Sequence, residues 1–149
     1  LLKEDVDKVV LSIVPCIPLG HSFGRLGCLF AGCCYGSEYN GFLAVLLNIN
    51  GTVVSTFPIQ AVEAALNLFL FFGLVCIASR IKKGVLLLPI YLYAYSAIRF
   101  CLEFFRGDSV RGMLFGLSTS QWICIVIALV CTIYLITQKT IKRKRIQHI

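Results

Sequence analysis

The chain has 149 residues, of which 58% are hydrophobic and 14% charged, and its mean hydropathy of +0.87 is well above what one soluble core needs. A net charge of +7 would suit a nucleic-acid binder. The basic residues instead flank apolar runs, and no stripe interleaves them with aromatics, so no nucleic-acid partner is expected.

The length fits a single domain. The first residue is Leu1 rather than Met, so the sequence is expected to be the C-terminal part of a longer protein. The first apolar run covers residues 9–35. It contains Pro15, Pro18, Gly20, Gly24, Gly27 and Gly32, which predicts a broken span, kinked or partly unwound, tolerated where its backbone faces protein or a cavity. The glycines at 20, 24 and 27 have the small-xxx-small spacing of close backbone approach. Residues 42–47 and 52–56 flank Asn50-Gly51, a strong hairpin signal. The hairpin is expected outside the spans, on the extracytoplasmic side.

Three cleaner runs follow at 58–81, 84–105 and 120–137, each close to the twenty or so residues that cross a bilayer. Ser118 with Gln121 reads as the capping box of the last helix, and Trp122 takes the place of an interfacial aromatic. Residues 138–149 form a basic tail. The expectation is an all-α polytopic transmembrane bundle. Lys3, Lys8, Arg80, Lys82, Lys83, Lys139, Lys142, Arg143, Lys144 and Arg145 then share one face of the membrane, and Arg106 and Arg111 the other. The positive-inside rule places the rich face, and the C-terminus, in the cytoplasm.

That topology brings the polar residues of the spans to one depth. Gln60 and Glu63 open the second span, Arg99 and Glu103 close the third one helical turn apart, and His21 and Arg25 lie in the first. An ionised group there costs at least about 2.5–3.5 kcal/mol, so each needs a partner or water. One reading is that Arg25 or Arg99 pairs with Glu63 or Glu103 and locks the bundle. The other is a polar cavity whose guanidinium forks bind a phospholipid headgroup. The eight cysteines form no CxxC and mostly read as small hydrophobes. Cys28 and Cys33 are about 140° apart on a helical wheel, so no metal site is expected there. His21 is open to both an interior and a site role.

Residues 18–36 (Pro-Leu-Gly-His-Ser-Phe-Gly-Arg-Leu-Gly-Cys-Leu-Phe-Ala-Gly-Cys-Cys-Tyr-Gly), 58–63 (Pro-Ile-Gln-Ala-Val-Glu), 99–108 (Arg-Phe-Cys-Leu-Glu-Phe-Phe-Arg-Gly-Asp) and 116–122 (Gly-Leu-Ser-Thr-Ser-Gln-Trp) together resemble the prolipoprotein diacylglyceryl transferase family. The resemblance implies an enzyme of the bacterial cytoplasmic membrane. Such an enzyme moves diacylglyceryl from phosphatidylglycerol to the lipobox cysteine of a prolipoprotein. It needs no cofactor and no metal.

Carried over by motif, Arg25, Arg99 and Glu103 take catalytic roles, and Gly36, Gln60 and Glu63 substrate-binding ones; His21 and Arg106 join the expected substrate-binding set by their depth in the spans, not by motif. Cys28, Ala31 and Cys33 stand where the family usually has asparagine, asparagine and glutamate. The histidine-glycine-glycine segment of the family's N-terminal half has no counterpart in this sequence. The substitutions at Cys28, Ala31 and Cys33 favour an alternative, a non-catalytic phospholipid-binding membrane protein of the same fold. A small transporter or channel subunit is a weaker third reading, because no inverted repeat accompanies the broken segment.

Overall fold

In the computed structural model, which describes residues 2–49, 51–81, 83–107 and 113–147, long apolar stretches become helices. Helix α1 spans Leu2–Phe30 and α2 Ile59–Ala78. Helix α3 spans Leu87–Leu102, with one-turn 3-10 segments at Gly84–Leu86 and Glu103–Phe105, and α4 spans Thr119–Gln147. Four segments among the described residues are long and apolar enough to cross a membrane: Val6–Phe30, Ile59–Ala78, Gly84–Phe105 and Thr119–Thr140. Their outward faces carry exposed large apolar side chains, Phe69, Phe72, Ile123, Val126, Leu129 and Ile133 among them. Lipid is the natural solvent for such faces.

Helix α1 corrects two expectations. It runs unbroken through Pro15 and Pro18, both buried against the bundle, where packing offsets the lost backbone bonds. A Cβ added at Gly20, Gly24 or Gly27 would meet no atom of a neighbouring segment within 4 Å among the described residues. These glycines face away from the other helices, and the expected close approach is not made there. Close approach occurs instead at Gly84, where a Cβ would strike the backbone of Asp7, whose carboxylate Oδ1 accepts the N–H of Val85 at 3.2 Å.

Strands β1 (Val45–Ile49) and β2 (Thr52–Thr56) form the expected hairpin, with Ile49 opposite Thr52 and Gly51 at φ 87°. A positive φ at this turn is what glycine permits. Of the residues invoked above, Asn50, Lys82, Asp108 and Arg111 lie outside the described ones. A second, shorter pair, β3 (Met113–Leu114) and β4 (Leu117–Ser118), turns through Phe115 and Gly116, both at positive φ.

The capping box forms as the sequence predicts. Gln121 N–H donates to Ser118 Oγ at 3.2 Å, and Ser118 N–H donates to Gln121 Oε1 at 2.9 Å. Ser118→Ala is therefore expected to destabilise the bundle by about 1 kcal/mol, read as a lower unfolding midpoint in detergent. Helix α4 continues past residue 137 through the basic residues to Gln147.

Helix α1 packs chiefly on α2, α3 on α4, and α2 on α3. The apolar core, Val14, Leu74, Leu87 and Tyr91, occupies one end of this antiparallel arrangement. Eleven or twelve residues from Val14, Leu74 and Leu87, and eight from Tyr91, lie Arg25, Glu63 and Arg99, roughly 12–17 Å along the helices at 1.5 Å per residue. One end of the bundle is dry and the other ionic.

Candidate functional site

Helix α2 starts after Pro58, and its first turns set Gln60, Glu63 and Asn67 along one stripe, all buried. Glu63 is only 2% exposed and stands between two arginines. Arg25 Nε lies 3.0 Å from Glu63 Oε1, and Arg99 Nη1 lies 3.9 Å from Oε2. Arg99 reaches on to Glu103, its Nη2 2.7 Å from Oε2, across the helical turn that the sequence spacing predicts. The network joins α1, α2 and α3, and its two cations balance its two anions.

The pairing is close without being saturated. Arg99 Nη1 and Glu103 Oε2 are buried and make no aligned hydrogen bond among the described residues, so the 2.7 Å contact is an ion pair with poor hydrogen-bond direction. Arg25 keeps 21% of its side chain exposed. A guanidinium has five N–H donors, and one carboxylate does not exhaust them. The site can therefore accept the oxygens of an additional anion.

Neutral groups fix the helices around it. Ser22 Oγ donates to the carbonyl of Ala64 at 2.9 Å, and Asn67 Nδ2 to that of Glu63 at 2.8 Å. Gln60 Nε2 donates to the carbonyl of Cys33 at 2.9 Å, so this glutamine ties the loop after α1 to the start of α2. His21 is exposed and outside the ion pairs; its ring lies 5.1 Å from that of Tyr95. Sequence reasoning missed Tyr95, Asn67 and Ser22. The signal was there: Tyr95 is four residues before Arg99 and Asn67 four after Glu63, each on the same helix face.

Gly36 is a crossing point of backbones. A Cβ there would strike the carbonyl of Phe57 and press on that of Phe105. Gly36 also pairs with Arg106 in an isolated bridge, Ser37 N–H donates to Phe105 O at 3.0 Å, and Phe57 N–H donates to Ser37 O at 3.0 Å. The chain segments adjoining α1, α2 and α3 are thereby tied together beside the ion pairs. Arg106 is half-buried at this crossing.

The cysteines overturn the helical-wheel expectation, because the helix ends before Cys33. Gly32 adopts φ 65°, its N–H donates to Leu29 O at 3.2 Å, and Cys33 N–H donates to Cys28 O at 3.1 Å. This pair of bonds is a Schellman cap, which lays the residue after the glycine against the one five earlier. Here those residues are Cys33 and Cys28. Cys34 also takes a left-handed φ of 58°, which costs a non-glycine residue on the order of 1–3 kcal/mol. The Sγ atoms of Cys28, Cys33 and Cys34 all lie within 4.8 Å of one another. Hydrogen bonding to Cys28, then desolvation and hydrogen bonding to Cys34, pushes the Cys33 thiol above its ordinary pKa.

A profile of the prolipoprotein diacylglyceryl transferase family matches residues 4–137. The chain is 34% identical over 128 residues to phosphatidylglycerol–prolipoprotein diacylglyceryl transferase 2 of Clostridium perfringens, covering 84% of this chain and 50% of that protein. It is 33% identical to the phosphatidylglycerol–prolipoprotein diacylglyceryl transferases of Clostridium tetani (81% of this chain, 49% of that one) and Chlorobaculum tepidum (83% and 44%). The chain thus spans about half the length of the curated relatives it matches. No solved structure matches significantly.

Proposed function

The chain belongs to the prolipoprotein diacylglyceryl transferase family, and we propose that its protein transfers diacylglyceryl from phosphatidylglycerol to the lipobox cysteine of a prolipoprotein. The observation that carries this reading is the pair of arginines, from two different helices, held on the Glu63 carboxylate with donors to spare. In the reaction, the acceptor sulfur attacks the glyceryl carbon bonded to a phosphate oxygen. A carbon–sulfur bond forms as the carbon–oxygen bond breaks, the electron pair leaves on the phosphate of glycerol phosphate, and the thiol proton passes to a base. Charge grows on the leaving oxygen, and fixed guanidinium groups in a medium of low dielectric stabilise it.

Arg25 and Arg99 take that role. Glu103 and Glu63 orient them, Gln60 holds the loop at Cys33 against the site, and Gly36 lets the backbones close beside Arg106. His21 and Tyr95 flank the approach. The protein is placed in a bacterial cytoplasmic membrane, with its basic helix ends and C-terminus facing the cytoplasm. The ion-pair end of the bundle then lies toward the outer leaflet.

The test is transfer by the full-length protein from labelled phosphatidylglycerol to a lipobox peptide. Arg25→Ala and Arg99→Ala are each expected to abolish thioether formation; unchanged transfer in both would sink the reading. A second reading, a lipid-binding protein without the chemistry, is favoured by Cys28 at the end of α1 and Cys33 in the loop after it, standing where the resemblance calls for asparagine and glutamate. Phospholipid that co-purifies with wild type and not with Arg25→Ala, with no thioether formed, would select it.

A further inference from the structure

The thiol cluster at the end of α1 has no part in the reaction as written, yet two backbone features converge on it. The Schellman cap at Gly32 folds Cys33 back onto Cys28, and the left-handed turn at Cys34 brings a third sulfur to the same place. A non-glycine residue in a left-handed conformation is strained and persists only where its surroundings hold it there. Cysteines that only fill space among apolar side chains need no such convergence.

We infer that Cys28, Cys33 and Cys34 form a three-thiolate site for a soft closed-shell cation, Zn2+ being the type. Zn–S bonds of about 2.3 Å set tetrahedral thiolates roughly 3.8 Å apart. The three sulfurs already lie within 4.8 Å, so side-chain rotation of about 1 Å closes them on an ion. Thiolates select Zn2+ over harder cations such as Mg2+ or Ca2+. No fourth Cys, His, Asp or Glu joins the group among the described residues, so three thiolates are the ligand set that these residues supply. Binding releases the thiol protons to solvent.

The site is coupled to the ionic one without belonging to it. Cys28 follows Arg25 by one helical turn, and the carbonyl of Cys33 accepts from Gln60. A bound ion would fix the loop that Gln60 holds. This inference stands whether or not the protein transfers lipid.

The experiment measures metal retained by the full-length protein, purified in detergent under reductant and dialysed against a weak chelator. One equivalent of Zn2+ per chain is expected, falling to background in Cys33→Ser and in the triple variant Cys28→Ser, Cys33→Ser, Cys34→Ser. The exposed cysteines Cys76 and Cys101 serve as controls, and Cys76→Ser and Cys101→Ser should keep the full equivalent. Cd2+ titration should give thiolate charge-transfer absorption with an endpoint at one equivalent. Gly32→Ala keeps all three thiols but disfavours the cap, so it should weaken Cd2+ binding at unchanged helix content. Zn2+ retention equal in wild type and the triple variant would overturn the inference. So would a disulfide among the three cysteines in protein isolated without reductant, found as a mass lower by two hydrogens.

Discussion

Glu63→Ala is expected to destabilise the folded bundle by about 3–5 kcal/mol, the range for removing one partner from a buried ion pair. Glu63 is the anion that two helices share: its carboxylate lies 3.0 Å from Arg25 and 3.9 Å from Arg99, and it is 2% exposed. Without it, Arg25 has no ion-pair partner among the described residues, and Arg99 retains Glu103 alone. Glu63→Gln keeps the shape and loses only the charge, so it should fall between wild type and alanine. Adding Arg25→Gln to Glu63→Gln removes both charges of one pair and should recover part of the loss, which is the coupling a double-mutant cycle reads. The measurement is the unfolding midpoint in detergent. A Glu63→Ala protein within about 1 kcal/mol of wild type would show that the pairs do not hold the bundle.

Arg99→Lys is the second change with a large expected effect, and it acts on transfer more than on folding. Lysine keeps the positive charge beside Glu63 and Glu103, so the electrostatic balance of the bundle survives. What it lacks is the planar fork that can hold a carboxylate and a phosphate oxygen together. Loss of one such donor at a developing anion lowers turnover by about 10²–10³-fold in enzymes where it has been isolated. Transfer by Arg99→Lys should fall by that order, with the midpoint close to wild type. Lysine working within about tenfold of arginine would mean that a point charge suffices and the fork geometry is irrelevant.

Much of the fold was legible because the signals are local. Four apolar runs gave four helices, Ser118 and Gln121 gave a capping box that forms bond for bond, and Asn50-Gly51 gave the hairpin register. The ionic site was legible for a similar reason. Charges placed in apolar helices must find one another, and Arg99 with Glu103 is a one-turn spacing. Reasoning failed where one local rule was extended past its end. Pro15 and Pro18 predicted a break, but tertiary packing buries both and keeps α1 whole. The wheel that separated Cys28 from Cys33 assumed a helix continuing to residue 35, whereas the left-handed Gly32 ends it and reverses the geometry. The glycine signal at 20, 24 and 27 was real in spacing, but close approach came at Gly36 and Gly84, where chains cross out of sequence.

The order of the charges along the chain carries a consequence for how such a protein enters a bilayer. Of the paired charges in these helices, Arg25 is synthesised before Glu63, the acid that pairs with it. The helical hairpin of α1 with α2 delivers Glu63 against Arg25 at 3.0 Å, so that this pair carries no net charge. Helix α3 and its 3-10 end bring Arg99 and Glu103 already paired at 2.7 Å, a second neutral package. Only the longer 3.9 Å contact between Arg99 and Glu63 waits for the two packages to meet. Insertion of these helices thus leaves the Arg25 guanidinium without its Glu63 partner only until α2 follows, and α3 with its 3-10 end adds no net charge.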